Sequence, residues 1–520
     1  MKESKGWVLV LDFGCTFSST LVRAVRELGV RCELESLEKF KGLDKKDLPS
    51  GVFLVGGNES VFDQDVLSVE KSLLDTLKGH KVPVLSLSFG MMSVAKSFGA
   101  KLRKTDNKDY VVTKCTLKNS ELFDSVPNSL TVYLNTLDMV ESVPSGFEVI
   151  AKHSEVPVGL YNSDYNLFCL YFHPESVDTE KGNTILHNFL YKVCKCDRTW
   201  TLSEYLEREL KNIEEQCGTD KYVVAALSGG VDSTVSAKMV QSVIGDRFHG
   251  VMVDTGLMRH NEIAECEKRV RKEVPGIKLT VRYSQNVFFK ELAGVVDPEM
   301  KRKIIGRVYI EEFEKAIKEL GFNEKNCLLL QGTIYPDIIE SELNRRSKLP
   351  VKSHHNVGGL PERMKFELIE PVRYLFKEEV RELGRLLKLS EETFKRQPFP
   401  GPGLGVRVLG ALTPENVQKV RMADKIVREE VEKSKADVSQ YFCIYLPNLK
   451  STGLVKGQRV YGTTVVVRCV KTKDYVTAKW VHFDHEVLDR ISQRITSEVP
   501  GVNRVLLDIT NKEPATIEWE

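Results

Sequence analysis

The sequence predicts an α/β chain of three domains, two built on parallel sheets and a smaller α+β unit after them. Three observations carry this. From residue 7 to about 190, short apolar runs alternate with helical segments, the pattern of a layered α/β domain. A second alternation opens at Lys221, where the β-branched run Tyr222 to Leu227 reads as a buried parallel strand feeding a helix. A Pro/Gly stretch from Arg396 to Arg407 then precedes one helix and several strand-like runs. The expected boundaries are 1–195, 200–398 and 399–520.

At 520 residues the chain is long enough for three separate cores. A formal net charge of +2 with mixed signs gives no footprint for nucleic acid or an acidic membrane. No apolar run approaches the roughly 20 residues of a membrane helix. Val8 to Phe13 is short and carries Asp12, so it reads as a strand and not a signal peptide. Eleven scattered cysteines, an odd number, suit a reducing cytoplasm. Cys194 and Cys196 form a lone C-x-C with no histidine pair nearby, so no zinc site is expected.

In the first third, Trp7 to Asp12 is read as a strand, Thr20 to Leu28 as a helix, and Gly51 to Val55 and Val82 to Leu87 as further strands. Ser88 stands at the elbow between the last of these and a helix containing Val94, Ala95 and Phe98. Leu167 to Phe172 is a late strand running into His173-Pro174-Glu175. Two residues apart on extended chain, His173 and Glu175 fall on one side, so the carboxylate can orient the imidazole.

This outline resembles the class I glutamine amidotransferases. The resemblance implies an oxyanion loop at Gly56-Gly57, a second oxyanion donor at the Phe89 N–H, and a triad ending in His173 and Glu175. It implies a thiolate at position 88, where this chain has Ser88. A cysteine is partly thiolate near neutral pH, whereas a serine stays a weak nucleophile until a base takes its proton. The family's Gly-Met-Gln after the elbow is Gly90-Met91-Met92 here, and its Ser-His-Gly-Asp corresponds to Asn135-Thr136-Leu137-Asp138. Met92 and Leu137 cannot hydrogen-bond a polar substrate, and each desolvated group without a partner costs a few kcal/mol. The expectation is a retained scaffold with a degenerate glutamine site.

Trp200 to Cys217 reads as a charged lead-in helix to the middle domain. Between strand and helix then lie Ser228, Gly229, Gly230, Val231, Asp232 and Ser233. The glycines let the backbone approach a ligand, and the helix N-terminus offers N–H groups and a favourable dipole to an anion. Asp232 is the candidate ligand for the magnesium that accompanies a nucleotide. No Gly-Lys-Ser/Thr closes the loop, so it is not a Walker A motif. The next strand, His249 to Val253, delivers Asp254 about one helix and one strand later, to the same sheet edge. Cys327 to Leu330 is a third strand.

Ser-Gly-Gly-x-Asp-Ser after a strand resembles the loop of N-type ATP pyrophosphatases, in the adenine-nucleotide α-hydrolase-like fold. Asp254 to Arg259, Gln331 to Ser341, Lys352 to Pro361 and Glu370 to Arg373 further resemble the GMP synthase family in order and spacing. That resemblance implies ATP and Mg2+ as cofactors and xanthosine monophosphate (XMP) as substrate. It also implies a purine oxygen that attacks the α-phosphorus, and ammonia that then displaces AMP. Lys352 is the candidate for stabilising the adenylated intermediate. Ser341 to Asn356, with His354 and His355, would be a lid that excludes water.

In the last third, a helix is read near Pro414 to Lys433, and strands at Phe442 to Leu446, Thr463 to Val470 and Arg504 to Ile509. The Pro-Phe-Pro-Gly-Pro-Gly-Leu stretch and the segment Asp508 to Glu520 resemble the same family. They imply a purine nucleotide site made by Arg407, Gln440, Lys512 and Glu518, and a homodimer through this domain. NAD synthetase and tRNA-thiolating enzymes share the pyrophosphatase loop but would not need the Lys512 and Glu518 motif. A tRNA partner would also predict a more basic surface. Two other readings are a non-catalytic scaffold, and a serine-nucleophile glutaminase still feeding the synthase.

Overall fold

Strand β1 (Trp7–Asp12) is buried along almost its whole length and lies between two parallel neighbours in the first sheet. Helix α1 (Ser18–Glu27) follows, then β2 (Arg31–Ser36), β3 (Gly51–Gly56), α2 (Lys71–Gly79), β4 (Val84–Ser88) and α3 (Phe89–Ser97). Beyond them come β5 (Lys101–Lys104), β6 (Tyr110–Leu117), β7 (Ser129–Asn135), β8 (Asp138–Ser142), β9 (Glu148–His153), β10 (Val156–Asn162), β11 (Leu167–Leu170) and α4 (Gly182–Asn188). This computed structural model describes the chain except residues 1–5, 16, 38–39, 41, 43–47, 57–58, 65, 106–109, 136, 339–365, 396, 398 and 473–477.

The large sheet runs β2-β1-β3-β4-β11-β10-β9-β6-β7. From β2 to β11 it is parallel, and beyond β11 antiparallel. The central strands β3, β4 and β11 are buried at every position, which is why they read as unbroken apolar runs. Register decides what meets at their ends: Ser88 pairs with Gly56, and Leu87 with Leu170. The segment after β11 therefore emerges at the edge where β4 delivers Ser88. β2 was not foreseen. It is an edge strand, half-buried and carrying Arg31, Glu33 and Glu35, so it lacks the apolar signal.

Described residues before and after the Tyr205/Leu206 junction belong to two units. Helix α5 (Leu202–Cys217) leads into the second, with β12 (Tyr222–Ala226), α6 (Val231–Ile244), β13 (Phe248–Asp254), α7 (Glu262–Glu273), β14 (Lys278–Tyr283) and α8 (Gln285–Glu291). Then come α9 (Pro298–Glu319), β15 (Cys327–Leu330), β16 (Leu368–Ile369), α10 (Lys377–Leu386), α11 (Glu391–Lys395) and α12 (Pro414–Ser434). The unit closes with β17 (Gln440–Val455), β18 (Gln458–Lys471), β19 (Lys479–Trp480), α13 (His485–Glu498) and β20 (Val502–Asp508). Both long helices start in the same way. Asp297 accepts from Met300 N and Thr413 from Asn416 N, each just ahead of a proline at the first helical turn.

The middle sheet, β14-β13-β12-β15-β16, is parallel throughout. Strand order reverses at β12, which has β13 on one side and β15 on the other, and the carboxyl end of such a switch point is where sheets of this kind bind ligands. In the other sheet, β17 and β18 form a long antiparallel hairpin and β20 pairs in parallel with β18. The hairpin extends well past the predicted Phe442–Leu446 and Thr463–Val470 runs. Pro447 hides the continuation, which resumes after a bulge between Leu446 and Lys450. One hydrophobic core joins both sheets, from Val224 and Val251 through Val408 and Val420 to Cys443, Val465 and Ile495.

Helices α12 and α13 are clamped by charge. Glu430, 2 % exposed, accepts from Arg490 (3.0 Å), Arg494 (2.9 Å) and Lys433 (3.1 Å). Burial would raise its carboxyl, but these three donors outweigh it and hold it down at about 2. A carboxyl depressed in the folded state gives stability above its unfolded pKa, and that stability fades as pH falls through the folded value. Thermal melts should therefore show the native protein losing stability between about pH 4.5 and 2, and Glu430→Gln losing less across that window. Parallel pH profiles for the two proteins would exclude the clamp. Among the described residues, no helix is long and apolar enough to cross a membrane.

Candidate functional site

Two sets of side chains stand where the sheets end, one in each unit. In the first unit, Ser88 adopts φ 53° and ψ −122° at the β4–α3 junction. Such a strained non-glycine elbow is the geometry that presents a nucleophile. Ser88 is fully buried, and its Oγ makes no hydrogen bond among the described residues. His173 Nδ1 and Glu175 Oε1 are 2.7 Å apart with both side chains buried, so the carboxylate fixes the ring. The Phe17 ring lies over His173 at 4.7 Å.

Neither Cys15 nor Cys115 replaces the missing thiol. Cys15 lies in the loop before α1, and burial, then Glu175, push it well above the ordinary thiol range. Burial alone pushes Cys115 up to about 12. Neither is a source of thiolate at neutral pH. Met92 is wholly buried and Leu137 nearly so, and neither side chain carries a hydrogen-bond donor. Asp138 has a different task. Its two carboxylate oxygens accept from Ser60 Oγ (2.7 Å) and Val61 N (2.9 Å), so it ties down the chain that follows residues 57–58. Gly57 and Thr136 lie outside the described residues.

In the second unit, Gly230 is the N-cap of α6, and the helix starts at Val231, three residues earlier than the apolar spacing from Thr234 predicts. Val231, Asp232 and Ser233 thus form its first turn. Ser228 Oγ accepts from Gly230 N (3.3 Å) and lies 3.5 Å from Ser233 Oγ, which draws the two hydroxyls to one place. Gly229 has φ +70°, and a Cβ there would come within 2.8 Å of Cys266 Sγ, so only glycine closes this turn.

Lys377, which no local motif singled out, pairs with Asp232 Oδ2. Asp232 Oδ1 has no hydrogen-bond partner among the described residues. A carboxylate with one oxygen fixed and one unengaged fits magnesium, which takes one or two carboxylates and completes its shell with phosphate and water. Among the described residues, no group of three acidic, cysteine or histidine side chains is placed to hold a metal. Asp254 ends β13, where Oδ1 accepts from Gly256 N (2.9 Å) and Oδ2 from Gln285 Nε2 (2.7 Å). Lys352, His354 and His355 lie outside the described residues, as does the Ser341 to Asn356 segment.

Three of the four residues expected at the purine nucleotide site meet. The Arg407 guanidinium, fully buried, donates to Glu518 through Nη2 (2.9 Å) and Nε (3.2 Å), and Gln440 Nε2 donates to the same carboxylate (3.0 Å). Lys512 is placed by its backbone, whose N–H donates to Ala478 O at 2.8 Å. Segment 508–520 is strapped down by residues the sequence did not single out. Arg468 donates to Thr516 O (2.9 Å) and pairs with Asp508 (3.1 Å), Trp519 Nε1 donates to Asp508 (2.8 Å), and buried Lys301 reaches Glu520 (2.6 Å).

Residues 9–193 match the family model for glutamine amidotransferase class-I, 202–298 that for NAD synthase, and 428–519 that for the GMP synthase C terminal domain. The chain is 42% identical over 521 residues to the GMP synthase (glutamine-hydrolyzing) of Kluyveromyces lactis, spanning 99% of this chain and 98% of that one. With the protein of the same name from Brachyspira hyodysenteriae the identity is 42% over 527 residues and 100% of both chains. With that from Finegoldia magna it is 40% over 519 residues and 99% of both.

Proposed function

This chain belongs to the GMP synthase (glutamine-hydrolysing) family, and we propose that it makes GMP from XMP and ATP with free ammonia in place of glutamine. The observation that carries the second half is Ser88 in an intact elbow, with Met92 and Leu137 where a polar substrate would need hydrogen bonds. The first half rests on the Ser228–Ser233 cradle at the switch point of a parallel sheet.

The steps follow from the groups present. An exocyclic carbonyl oxygen of the XMP base attacks the α-phosphorus of ATP, and pyrophosphate leaves into the turn formed by Ser228, Gly229, Gly230, Val231, Asp232 and Ser233. There the helix N-terminus and two hydroxyls offset its charge. Bound magnesium supplies positive charge to the phosphates, and Asp232 Oδ1 is the oxygen that would hold it, with Lys377 fixing the other. Asp254 borders the nucleoside. Arg407, Gln440 and Glu518 hold the purine, Lys512 its phosphate, and Lys352 stabilises the adenylated base. Ammonia then displaces AMP. Incubation with XMP, ATP, magnesium and ammonium should yield GMP and AMP in equal amounts; absence of AMP would remove the assignment.

The same reading divides the chain at 1–195, 200–398 and 399–520, places it in the cytoplasm, and pairs it as a homodimer through the last domain. Exposed Leu454, Tyr461 and Leu506 on the β17–β18–β20 sheet, with Ile509 just past its end, support a buried partner face. Light scattering should give the dimer mass at micromolar concentration. A fully active monomer would count against it.

A further inference from the structure

Four charged side chains form a chain through the second unit that the steps above leave unused as a group. Asp424 on α12 is 1 % exposed, Arg259 4 % and Arg407 0 %. Arg259 Nε lies 3.6 Å from Asp424 Oδ2, and Arg407 Nη1 lies 3.5 Å from Asp424 Oδ1. The other edge of Arg407 is held by Glu518. One buried carboxylate thus serves two guanidinium groups. Arg259 belongs to the loop after Asp254, and Arg407 to the purine site. Phe399 closes the cluster, 4.3 Å from the Arg259 guanidinium carbon and 5.3 Å from that of Arg407.

The pairing is close but not saturated. Arg259 Nε and Nη2, Arg407 Nη1 and Asp424 Oδ2 make no hydrogen bond among the described residues. The backbone around them is far more firmly tied. Arg421, on the same helix as Asp424, donates to Met258 O (2.9 Å) and to Gly256 O. Leu404 N donates to Leu257 O at 2.7 Å. Gly403 has φ +62°, and a Cβ there would come within 2.4 Å of Leu257 O. The loop that borders ATP is therefore fixed against both α12 and the turn carrying Arg407. Its side chains keep unmet donors in a low-dielectric interior, where charge interactions are strong.

We propose that Asp424 is a positioning residue shared by the two substrate sites, so that binding of ATP and of XMP is coupled through Arg259, Asp424, Arg407 and Glu518. This rests on the reading of the Asp254–Arg259 loop as the border of ATP and of Arg407 and Glu518 as the XMP site. A nucleotide that draws Arg259 toward it changes the share of Asp424 left for Arg407, and with it the orientation of Glu518. Linkage makes the effect reciprocal.

Calorimetric titration of the full chain tests it, with XMP and with a magnesium complex of α,β-methylene-ATP, each alone and in the presence of the other. In the native protein each nucleotide should strengthen binding of the other by about fivefold or more. In Asp424→Asn, which leaves two buried cations unshared, XMP binding should weaken by about tenfold or more while the ATP analogue alone stays within about threefold. The coupling should fall to near one. Native-like coupling in Asp424→Asn, equal weakening of both nucleotides, or no coupling in the native protein would overturn the proposal. Arg259→Met covers the case in which Asp424→Asn fails to fold. It should bind XMP alone about fivefold more tightly than the native protein, as the nucleotide-loaded native protein does, with coupling lost, and coupling retained there would overturn it too. A native protein that binds neither nucleotide would instead remove the functional reading beneath.

Discussion

With glutamine as the only nitrogen source, in ammonia-free reagents, GMP should form at least about 10²-fold more slowly than with saturating ammonium. Two separate losses act on one rate. The elbow keeps its strained backbone, φ 53° at Ser88, but presents a hydroxyl that makes no hydrogen bond among the described residues. Of the remaining thiols, burial holds Cys15 and Cys115 protonated. The wall that would recognise the amino acid has Met92 and Leu137, both buried, so glutamine would be desolvated without repayment in hydrogen bonds. Restoring the nucleophile alone, Ser88→Cys, should therefore recover little. His173 and Glu175 are already in contact at 2.7 Å, so a poor base cannot explain a failure to recover. The measurement is a paired assay at saturating ATP and XMP. Comparable rates from the two nitrogen sources would sink the idea and establish a working Ser-His-Glu glutaminase.

The second large effect belongs to the Ser228–Ser233 turn, proposed above to receive pyrophosphate. Asp232→Asn should lower the rate of AMP release by about 10²-fold or more, as should Ser228→Ala, the scale seen when one preorganised electrostatic group is removed. Asp232→Asn removes the charge on the oxygen that would hold magnesium and unpairs Lys377. Ser228→Ala removes the hydroxyl that accepts from Gly230 N and faces Ser233. Both changes lie on a turn whose backbone is set by Gly229 and the α6 N-terminus, so the fold should survive. Steady-state AMP release, with circular dichroism as a control, checks this. Near-normal turnover in either variant would mean that pyrophosphate leaves elsewhere.

How much could be read beforehand depended on whether the signal was local. Cys327–Leu330 was read residue for residue, because a fully buried run flanked by Asn326 and Gln331-Gly332 has one interpretation. The Ser88, His173 and Glu175 positions were readable because each sits at the end of such a run. β2 and the ribbon of β5 with β8 were not, since polar residues fill their exposed faces. The partners of the chemistry were hidden for another reason. Lys377 meets Asp232, Asp424 meets Arg259 and Lys301 meets Glu520 across long stretches of chain, and a single sequence carries no trace of such pairings. Asp138 is another such case. It is the one residue retained from the family's Ser-His-Gly-Asp, and the motif gave no hint that both its oxygens are spent on Ser60 and Val61.

The single core shared by the two sheets of the second unit has a consequence for descent. Every residue of that core lies between Val224 and Val502, so none of it is drawn from the amidotransferase-like unit. Drift at Ser88, Met92 or Leu137 therefore erodes one reaction without loosening the apparatus of the other, and selection on the synthase leaves such changes unseen. A lineage supplied with ammonia can let its glutaminase decay. Drift within the common core meets no such tolerance: a substitution at Val408 or Val465 is felt by both sheets of the second unit together, so these two halves are inherited as one.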